Sequence, residues 1–117
     1  MNKRAVGSKT EDEAARFLAG CGLTVIEQNF RCRFGEIDLV ARDGKFTVFV
    51  EVKYRKDSKA GSPEEAVSAA KARKISKVSD YYRVVHKLPE DSPVRYDVVA
   101  IDGDTFRWYR NAFSYIR

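Results

Sequence analysis

The stretch GEIDLVARDGKFTVFVEVK, residues 35–53, reads as two extended runs joined by Asp43-Gly44. An Asp-Gly pair between alternating apolar segments is one of the strongest short-range signals of a β-hairpin. With Asp43 and Gly44 as the two loop residues, Arg42 faces Lys45 across the ladder. The same register places Phe34 opposite Lys53, Glu36 opposite Glu51 and Asp38 opposite Phe49. This hairpin is the feature around which we expect the rest of the chain to be organised.

Four charged side chains should project from one side of this hairpin, because side chains alternate between the two faces along a strand. They are Glu36, Asp38, Glu51 and Lys53. In the predicted register Asp38 and Glu51 are diagonal neighbours, roughly 7 Å apart at the backbone. Three carboxylates at this spacing repel one another, so the cluster calls for a cation. Lys53 supplies one, and a bound divalent metal ion would supply a stronger one.

Length and composition indicate one compact globular domain over residues 1–117, with 44% hydrophobic and 33% charged residues. No apolar run is long enough to cross a bilayer and no signal-peptide pattern is present, so we expect a cytoplasmic protein without a membrane partner. Cys21 and Cys32 stand far apart and are expected to be reduced thiols. The single histidine, His86, excludes a multi-histidine metal site within one chain.

The basic balance of the chain is compatible with a nucleic-acid partner. Its 22 basic and 17 acidic residues give a formal net charge of +5, and the isoelectric point is near 9.3. Such values are typical of many nucleic-acid-binding domains, although simple solubility accounts for them equally well.

The sequence predicts the element order α-β-β-β-α-β-β, and therefore an α/β fold in which a mixed sheet of about five strands is flanked by helices. Residues 1–9 are expected to be flexible, with a first helix capped by Thr10 and ending at residue 19 or 20. A second helix should begin at Ser62, with Glu65 closing a capping box. The strands are predicted over residues 23–33, 35–42, 45–53, 94–101 and 105–110. The polar loop 54–61 is expected to be mobile and to meet a ligand.

The carboxylates of the hairpin could bind a metal ion that promotes phosphodiester hydrolysis. Mg²⁺ and Mn²⁺ prefer oxygen ligands and retain several waters, so two or three carboxylates at the edge of a cleft suit them. Such an ion polarises a phosphodiester oxygen and acidifies a bound water, while Lys53 can orient that water, deprotonate it or stabilise charge on the phosphate. The motif is Asp, about a dozen residues, then Glu-x-Lys. The alternative is a structural ion pair, in which Lys53 merely neutralises two carboxylates.

Several segments together resemble the YraN family of small bacterial proteins. They are Glu11-x-x-Ala14, GEIDLVARD (35–43), VFVEVKYR (48–55), the helix around Lys71 and RYDVV (95–99). The resemblance spans nearly the whole chain in order. It implies a restriction-endonuclease-like fold, the PD-(D/E)xK core that also occurs in resolvases of Holliday junctions. In this sequence Ile37 stands where the superfamily's name places proline, and Thr10 stands where relatives commonly have glycine.

Carried over residue by residue, the resemblance implies a Mg²⁺ or Mn²⁺ site. Asp38 and Glu51 would be metal ligands, and Lys53 the catalytic lysine. Glu11, on the first helix, would complete the acidic set, with Glu36 as an auxiliary ligand. Junction-cutting proteins of this fold act as dimers, so the resemblance leaves a homodimer open.

Three functions are compatible with the sequence. The first is a metal-dependent nuclease that hydrolyses DNA, with branched or damaged DNA as candidate substrates. Six basic residues would hold its phosphates: Arg31, Arg33, Arg55, Lys56, Lys71 and Lys74. The second is a non-catalytic nucleic-acid-binding module that retains the nuclease fold. The third is a protein-interaction scaffold, with Tyr54, Trp108 and Tyr109 as contact residues.

Overall fold

The computed structural model describes residues 3–55 and 67–117. Its elements follow the predicted order: α1 (Lys3–Gly20), β1 (Thr24–Cys32), β2 (Gly35–Asp43), β3 (Phe46–Arg55), α2 (Ala69–Val85), β4 (Val94–Asp102) and β5 (Thr105–Tyr109). The predicted α/β class is therefore confirmed. Neither of the two helices is long and apolar enough to span a membrane over the part of the chain that is described.

The five strands form one mixed sheet in the order β1-β2-β3-β4-β5. β3 and β4 are parallel, and the remaining neighbours are antiparallel. The parallel pair requires a crossover, which contains α2, whereas the antiparallel pairs are joined by short turns. β3 is central in the sheet, as its apolar residues on both faces predict.

The sheet has a helix on each face. The cluster on the α1 face comprises Ala14, Ala15, Leu18, Leu23, Leu39, Ala41, Val48, Val50, Val99 and Ile101. The cluster on the α2 face comprises Phe30, Ile37, Val40, Phe49, Ile75, Val78, Tyr82 and Tyr96. Burying one of these larger side chains stabilises the fold by about 1.5–3 kcal/mol. Both faces of β3 are thus covered by apolar side chains. Polar groups are therefore expected near the ends of the strands, where this cover stops.

The register of the central hairpin differs from the prediction by two residues. Asp43 pairs with Phe46, so the loop is Gly44-Lys45 rather than Asp43-Gly44. Gly44 has a φ of +60°, while Asp43 stays in the strand. A two-residue loop with glycine first needs the left-handed conformation only at that glycine, which spares Asp43 the strain. Extended by one pair beyond Leu39 and Val50, this register places Asp38 opposite Glu51 and not opposite Phe49.

Both helices begin elsewhere than the sequence predicted. α1 begins at Lys3, so Thr10 lies within the helix and the prediction that Thr10 caps it is wrong. α2 begins at Ala69, where the Oγ of Ser68 accepts a hydrogen bond from the Lys71 backbone N–H. The predicted cap at Ser62 lies outside the described residues.

A buried carboxylate joins β4, β5 and the C-terminal segment. Asp97 is fully buried, and both of its oxygens accept hydrogen bonds from Arg95 at 2.9 Å. The indole N–H of Trp108 and the backbone N–H of Asn111 also donate to it at 2.9 Å. Beyond Asn111 the chain has no helix and packs onto the sheet, where Phe113 stacks on Tyr96. Asp97 therefore ties together three segments that the sequence left separate.

We expect Asp97→Ala to lower the free energy of unfolding by about 2–5 kcal/mol, because the N–H groups of Trp108 and Asn111 lose their acceptor and the largely buried Arg95 keeps only Asp43 as a carboxylate partner. Urea unfolding followed by circular dichroism measures the change. Asp104→Ala, at the exposed turn between β4 and β5, is the matched control and should cost under about 0.5 kcal/mol. Equal losses for the two variants would contradict a structural role for Asp97.

Candidate functional site

The candidate site lies where β2 and β3 separate. Their last pair is Leu39 with Val50; beyond it β2 continues beside β1 and β3 continues beside β4. Asp38 and Glu51 are the first residues past this fork. The carboxylate of Asp38 accepts a hydrogen bond from the backbone N–H of Val52 at 2.8 Å. A side chain of β2 thus satisfies an amide that the backbone of β2 would satisfy in a continuous ladder.

The alternation of faces is interrupted at the same place. Ile37 packs in the α2-face cluster and Leu39 in the α1-face cluster, although residues two apart share one face of a regular strand. Across the ladder in β1, Asn29 has a φ of 57°. Glu36 therefore lies on the α1 side and Glu51 on the α2 side. The prediction that all four charged side chains share one face is wrong, and the fork rather than a face brings Asp38 close to Glu51.

Glu51 has two lysine partners. It is only 8% exposed, and its Oε1 lies 2.7 Å from the Nζ of Lys71 and 3.9 Å from that of Lys53. Lys71 is in the first turn of α2, directly after the Ser68 cap. The cation that the acidic cluster requires is therefore supplied first by Lys71, which the sequence assigned only to phosphate binding.

The carboxyl group of Asp38 has a strongly raised pKa. Its pKa is raised from the ordinary range to about 7, first by burial and then by the negative charge of Glu51. The hydrogen bond from Val52 opposes this increase, while Glu11 and Glu36 add to it. Like charges from α1, β2 and β3 thus converge on one carboxyl group. Clusters of like charge that shift a pKa in this way are typical of functional sites, because binding and catalysis often need a carboxyl group with a shifted pKa.

The two lysines beside Glu51 differ in their affinity for protons. The pKa of Lys53 is lowered, first by its hydrogen bond with Lys71, then by burial and by the positive charge of Lys71. Burial by itself would lower the pKa of Lys71 as well, but the hydrogen bonds with Glu51 and Lys53 and the nearby negative charges raise it overall. Two protonated amines cannot hydrogen-bond to each other, since neither has an acceptor. Lys53 is therefore the amine that gives up its proton more readily.

Glu11 provides a third carboxylate from α1. It is 9% exposed, and its Oε2 has no hydrogen-bond partner among the described residues. Burial raises its pKa most, a hydrogen bond with the Asn29 side chain lowers it, and the charge of Glu36 raises it further. The charge of Glu11 also raises the pKa of Asp38, so Glu11 lies close enough to act on the acidic cluster. Asn29, which holds Glu11 by this hydrogen bond, was not among the residues predicted for the site.

The donor set suits a hard divalent cation. Among residues 3–55 and 67–117, no three or more His, Cys, Asp or Glu side chains are grouped so as to hold a metal ion. The four predicted ligands, Asp38, Glu51, Glu11 and Glu36, are therefore not assembled there into a metal-binding group, and Asp38 and Glu51 are the pair left as candidate ligands. Mg²⁺ is commonly held by one or two carboxylates with water and phosphate oxygens completing its shell. A site of two carboxylates fits this ion, and not zinc, which prefers nitrogen or sulfur ligands.

The predicted phosphate-binding residues are distributed unevenly around the fork. Arg31 pairs with Glu36 at 3.0 Å on the surface, so Glu36 already has a counter-ion. Arg33 lies over the ring of Phe34, and Lys74 lines a cleft beside it. The Arg55 side chain and all of Lys56 are outside the described part of the chain. Of the six residues, the structure brings Lys71 directly into the acidic site.

Sequence comparisons place these residues in a wider group. A family profile described as "Uncharacterised protein family UPF0102" matches residues 10–101. A UPF0102 protein of Lachnoclostridium phytofermentans is 46% identical over 114 residues, which cover 97% of each chain. One of Shewanella pealeana is 46% identical over 107 residues, covering 92% of this chain and 94% of the other. One of Dechloromonas aromatica is 44% identical over 110 residues, covering 94% and 89%.

The raised pKa of Asp38 leads to a pH-dependent stability in the metal-free protein. Below about pH 4 this carboxyl is protonated in both the folded and the unfolded chain. As pH rises to about 7 it ionises in the unfolded chain first, so the fold loses stability over this window. Asp38→Asn keeps an acceptor for Val52 and removes the charge.

We therefore expect Asp38→Asn to have the same stability as the wild type at about pH 4 and to be more stable by about 1–3 kcal/mol at about pH 8. Chemical unfolding at a series of pH values in EDTA measures the difference. Asp104→Asn is the control and should follow the wild type throughout. A constant difference between Asp38→Asn and the wild type across this range would show that Asp38 ionises normally.

Proposed function

The chain belongs to the UPF0102 family, which is the YraN family, and from its site we propose that it is a metal-dependent nuclease hydrolysing DNA phosphodiester bonds. The observation that carries the proposal is the meeting of Asp38, Glu51 and two lysines at the fork between β2 and β3. The proposal takes the mixed sheet between α1 and α2 to be a restriction-endonuclease-like core. Branched or damaged DNA is the candidate substrate.

In this proposal Asp38 and Glu51 would hold Mg²⁺ or Mn²⁺. The bound ion would supply electrophilic stabilisation of the phosphate and acidify a water molecule. The acidic cluster favours such binding, because burial and then the charge of Glu51 raise the pKa of Asp38 to about 7, and a cation would relieve the repulsion. Glu11 would accept a hydrogen bond from water at the site through its unpartnered Oε2. Glu36, paired with Arg31, would act through its charge rather than as a ligand.

The two lysines would take different roles. Lys53, with its lowered pKa, is suited to orienting the attacking water and accepting its proton. Lys71 keeps its proton and lies 2.7 Å from Glu51, so its positive charge is placed to stabilise charge that develops on the phosphate. This division requires both amines at the fork, one on β3 and one on α2.

The second candidate is a nucleic-acid-binding module without catalysis. One contact favours it: Lys71 gives Glu51 a counter-ion within the chain, which reduces the need for a metal. In that case the fork is a structural ion-pair cluster, and nucleic-acid affinity should depend on salt but not on divalent ions. Glu51→Gln would then bind DNA as the wild type does.

Catalysis is tested by incubating the protein with Mn²⁺ and labelled single-stranded, duplex and four-way-junction DNA. We expect Asp38→Ala and Lys53→Ala each to reduce the cleavage rate by at least about 100-fold, because the first removes a metal ligand and the second the group that accepts the proton of the attacking water. Lys45→Gln, in the turn far from the fork, is the matched basic control and should retain activity. Cleavage by Asp38→Ala at the wild-type rate would identify a contaminant or a different site and contradict the proposal.

Metal binding is tested separately from turnover. Mn²⁺ at about 100 times its dissociation constant should stabilise the wild type by about 2.7 kcal/mol in thermal unfolding, and should not stabilise Asp38→Ala or Glu51→Gln. Lys71→Gln should bind Mn²⁺ about tenfold more tightly, because a cation competing for Glu51 is removed. Stabilisation of the wild type and Asp38→Ala to the same extent would rule out the fork as the metal site.

A further inference from the structure

A basic cleft next to the fork has no role in the site described above, and we propose that it binds an unpaired strand of the DNA substrate. It lies between the Arg33–Phe34 turn, which joins β1 to β2, and the first half of α2. Its volume is about 340 Å³, which is within the usual range for a site that holds one small group such as a nucleotide. The inference rests on the proposed function, because it assigns part of that enzyme's substrate.

The lining of the cleft has one sign of charge. Arg33, Arg73, Lys74 and Lys77 contribute to it, and no acidic residue does among those that the structure describes. The two larger surface clefts over the described residues differ in this respect: one contains Asp80 and Glu90 beside its basic residues, and the other contains Asp12 beside Arg16. A concentration of four cations without a carboxylate is complementary to a phosphodiester backbone.

The mouth of the cleft carries exposed aromatic rings. Phe34 is 37% exposed and Tyr81 is 40% exposed, and their rings meet edge to face with centroids 6.2 Å apart. The guanidinium of Arg33 lies 4.9 Å from the centre of the Phe34 ring. Aromatic rings and guanidinium planes are the surfaces on which nucleobases stack. A base can reach them only if it is not already stacked in a duplex, so this feature selects an unpaired strand over a paired one.

Gly35 holds the two sides of the cleft together. Its φ is +141°, and a β-carbon there would lie 3.3 Å from both the Cγ and the Cδ of Lys74. The missing side chain lets the aliphatic part of Lys74 pack against the backbone, which keeps α2 close to the Arg33–Phe34 turn. The cleft is therefore built into the fold and does not depend on a flexible lysine finding its position.

One strand can reach both the cleft and the fork. Gly35 precedes Asp38 by three residues of β2, about 10 Å at the usual rise of a strand. At most about three nucleotides cover this distance, because an unpaired strand is more extended than the about 3.4 Å per nucleotide of a duplex. On the opposite side, Lys71 contacts Glu51 at the fork and Lys74, one turn later, lines the cleft. An unpaired strand on Phe34 would thus place a phosphate a few nucleotides away at the acidic site.

The test measures the binding of fluorescein-labelled oligo(dT) of roughly 15 nucleotides and of a duplex of equal length by fluorescence anisotropy in EDTA, where no cleavage occurs. We expect the wild type to bind oligo(dT) more tightly than the duplex. Phe34→Ala should weaken oligo(dT) binding about 5- to 100-fold, with less than about a twofold effect on the duplex, whereas Phe34→Tyr should retain affinity because it keeps the ring. Tyr109→Ala removes a partly exposed ring from β5, at the opposite edge of the sheet from β1, and should change neither.

The cations are tested by charge-matched double variants. Lys74→Gln with Lys77→Gln should reduce the slope of log affinity for oligo(dT) against log salt by about 1.4. Lys45→Gln with Lys87→Gln has the same net charge and should leave the slope unchanged. The inference is overturned if the wild type prefers the duplex, if Phe34→Ala acts like Tyr109→Ala, or if both double variants change the slope equally. Because the measurement needs no metal, a protein without nuclease activity can still pass it, and an active nuclease can fail it.

Discussion

The separation of β2 and β3 after Leu39 and Val50 is the constraint on which the candidate site depends. A continuous ladder would have paired the backbones of Asp38 and Glu51, with both side chains on covered faces of the sheet. The fork instead leaves the Val52 amide to the Asp38 carboxylate, which fixes that side chain among other acids. Since an unpaired buried amide costs about 1–3 kcal/mol, the hydrogen bond offsets part of the repulsion that this position creates. Backbone geometry and electrostatics are therefore coupled at a single residue.

The negative charges around Glu51 are largely, but not completely, neutralised by lysines of the same chain. Lys71 neutralises one carboxylate and donates a hydrogen bond to Lys53, but Asp38 and Glu11 retain raised pKa values. The remaining excess of negative potential is what distinguishes this cluster from an ordinary surface ion pair. Arg31 with Glu36 is such an ordinary pair, since both side chains are about half exposed and each has the other as a partner. The balance also explains why a lysine from α2, and not only the lysine of the Glu-x-Lys motif, belongs to the site.

The sequence predicted the element order, the central hairpin and the acidic residues, because local alternation and turn signals determine these features. Sequence reasoning failed for features that depend on which of several possible conformations or contacts the folded chain adopts. The hairpin loop lies one residue later than predicted, which shifts each cross-strand pair by two residues, because only Gly44 is needed in the left-handed conformation. The interruption between Ile37 and Leu39 could not be read from alternation, since the segment 35–43 shows no break in its pattern. Lys71 and Asp97 acquired their roles from partners on other elements, which no local pattern encodes.

α2 explains why one helix can serve both chemistry and recognition. The crossover between the parallel strands β3 and β4 must run along one face of the sheet, and Ile75, Val78 and Tyr82 fasten it there. This packing fixes the rotation of α2 about its axis and therefore the directions in which the side chains of its first two turns point. Lys71 is thereby directed to the fork and Lys74 to the cleft at Gly35, where the absence of a side chain allows close approach. The same apolar contacts that stabilise the sheet therefore set the spacing between the acidic site and its basic neighbour.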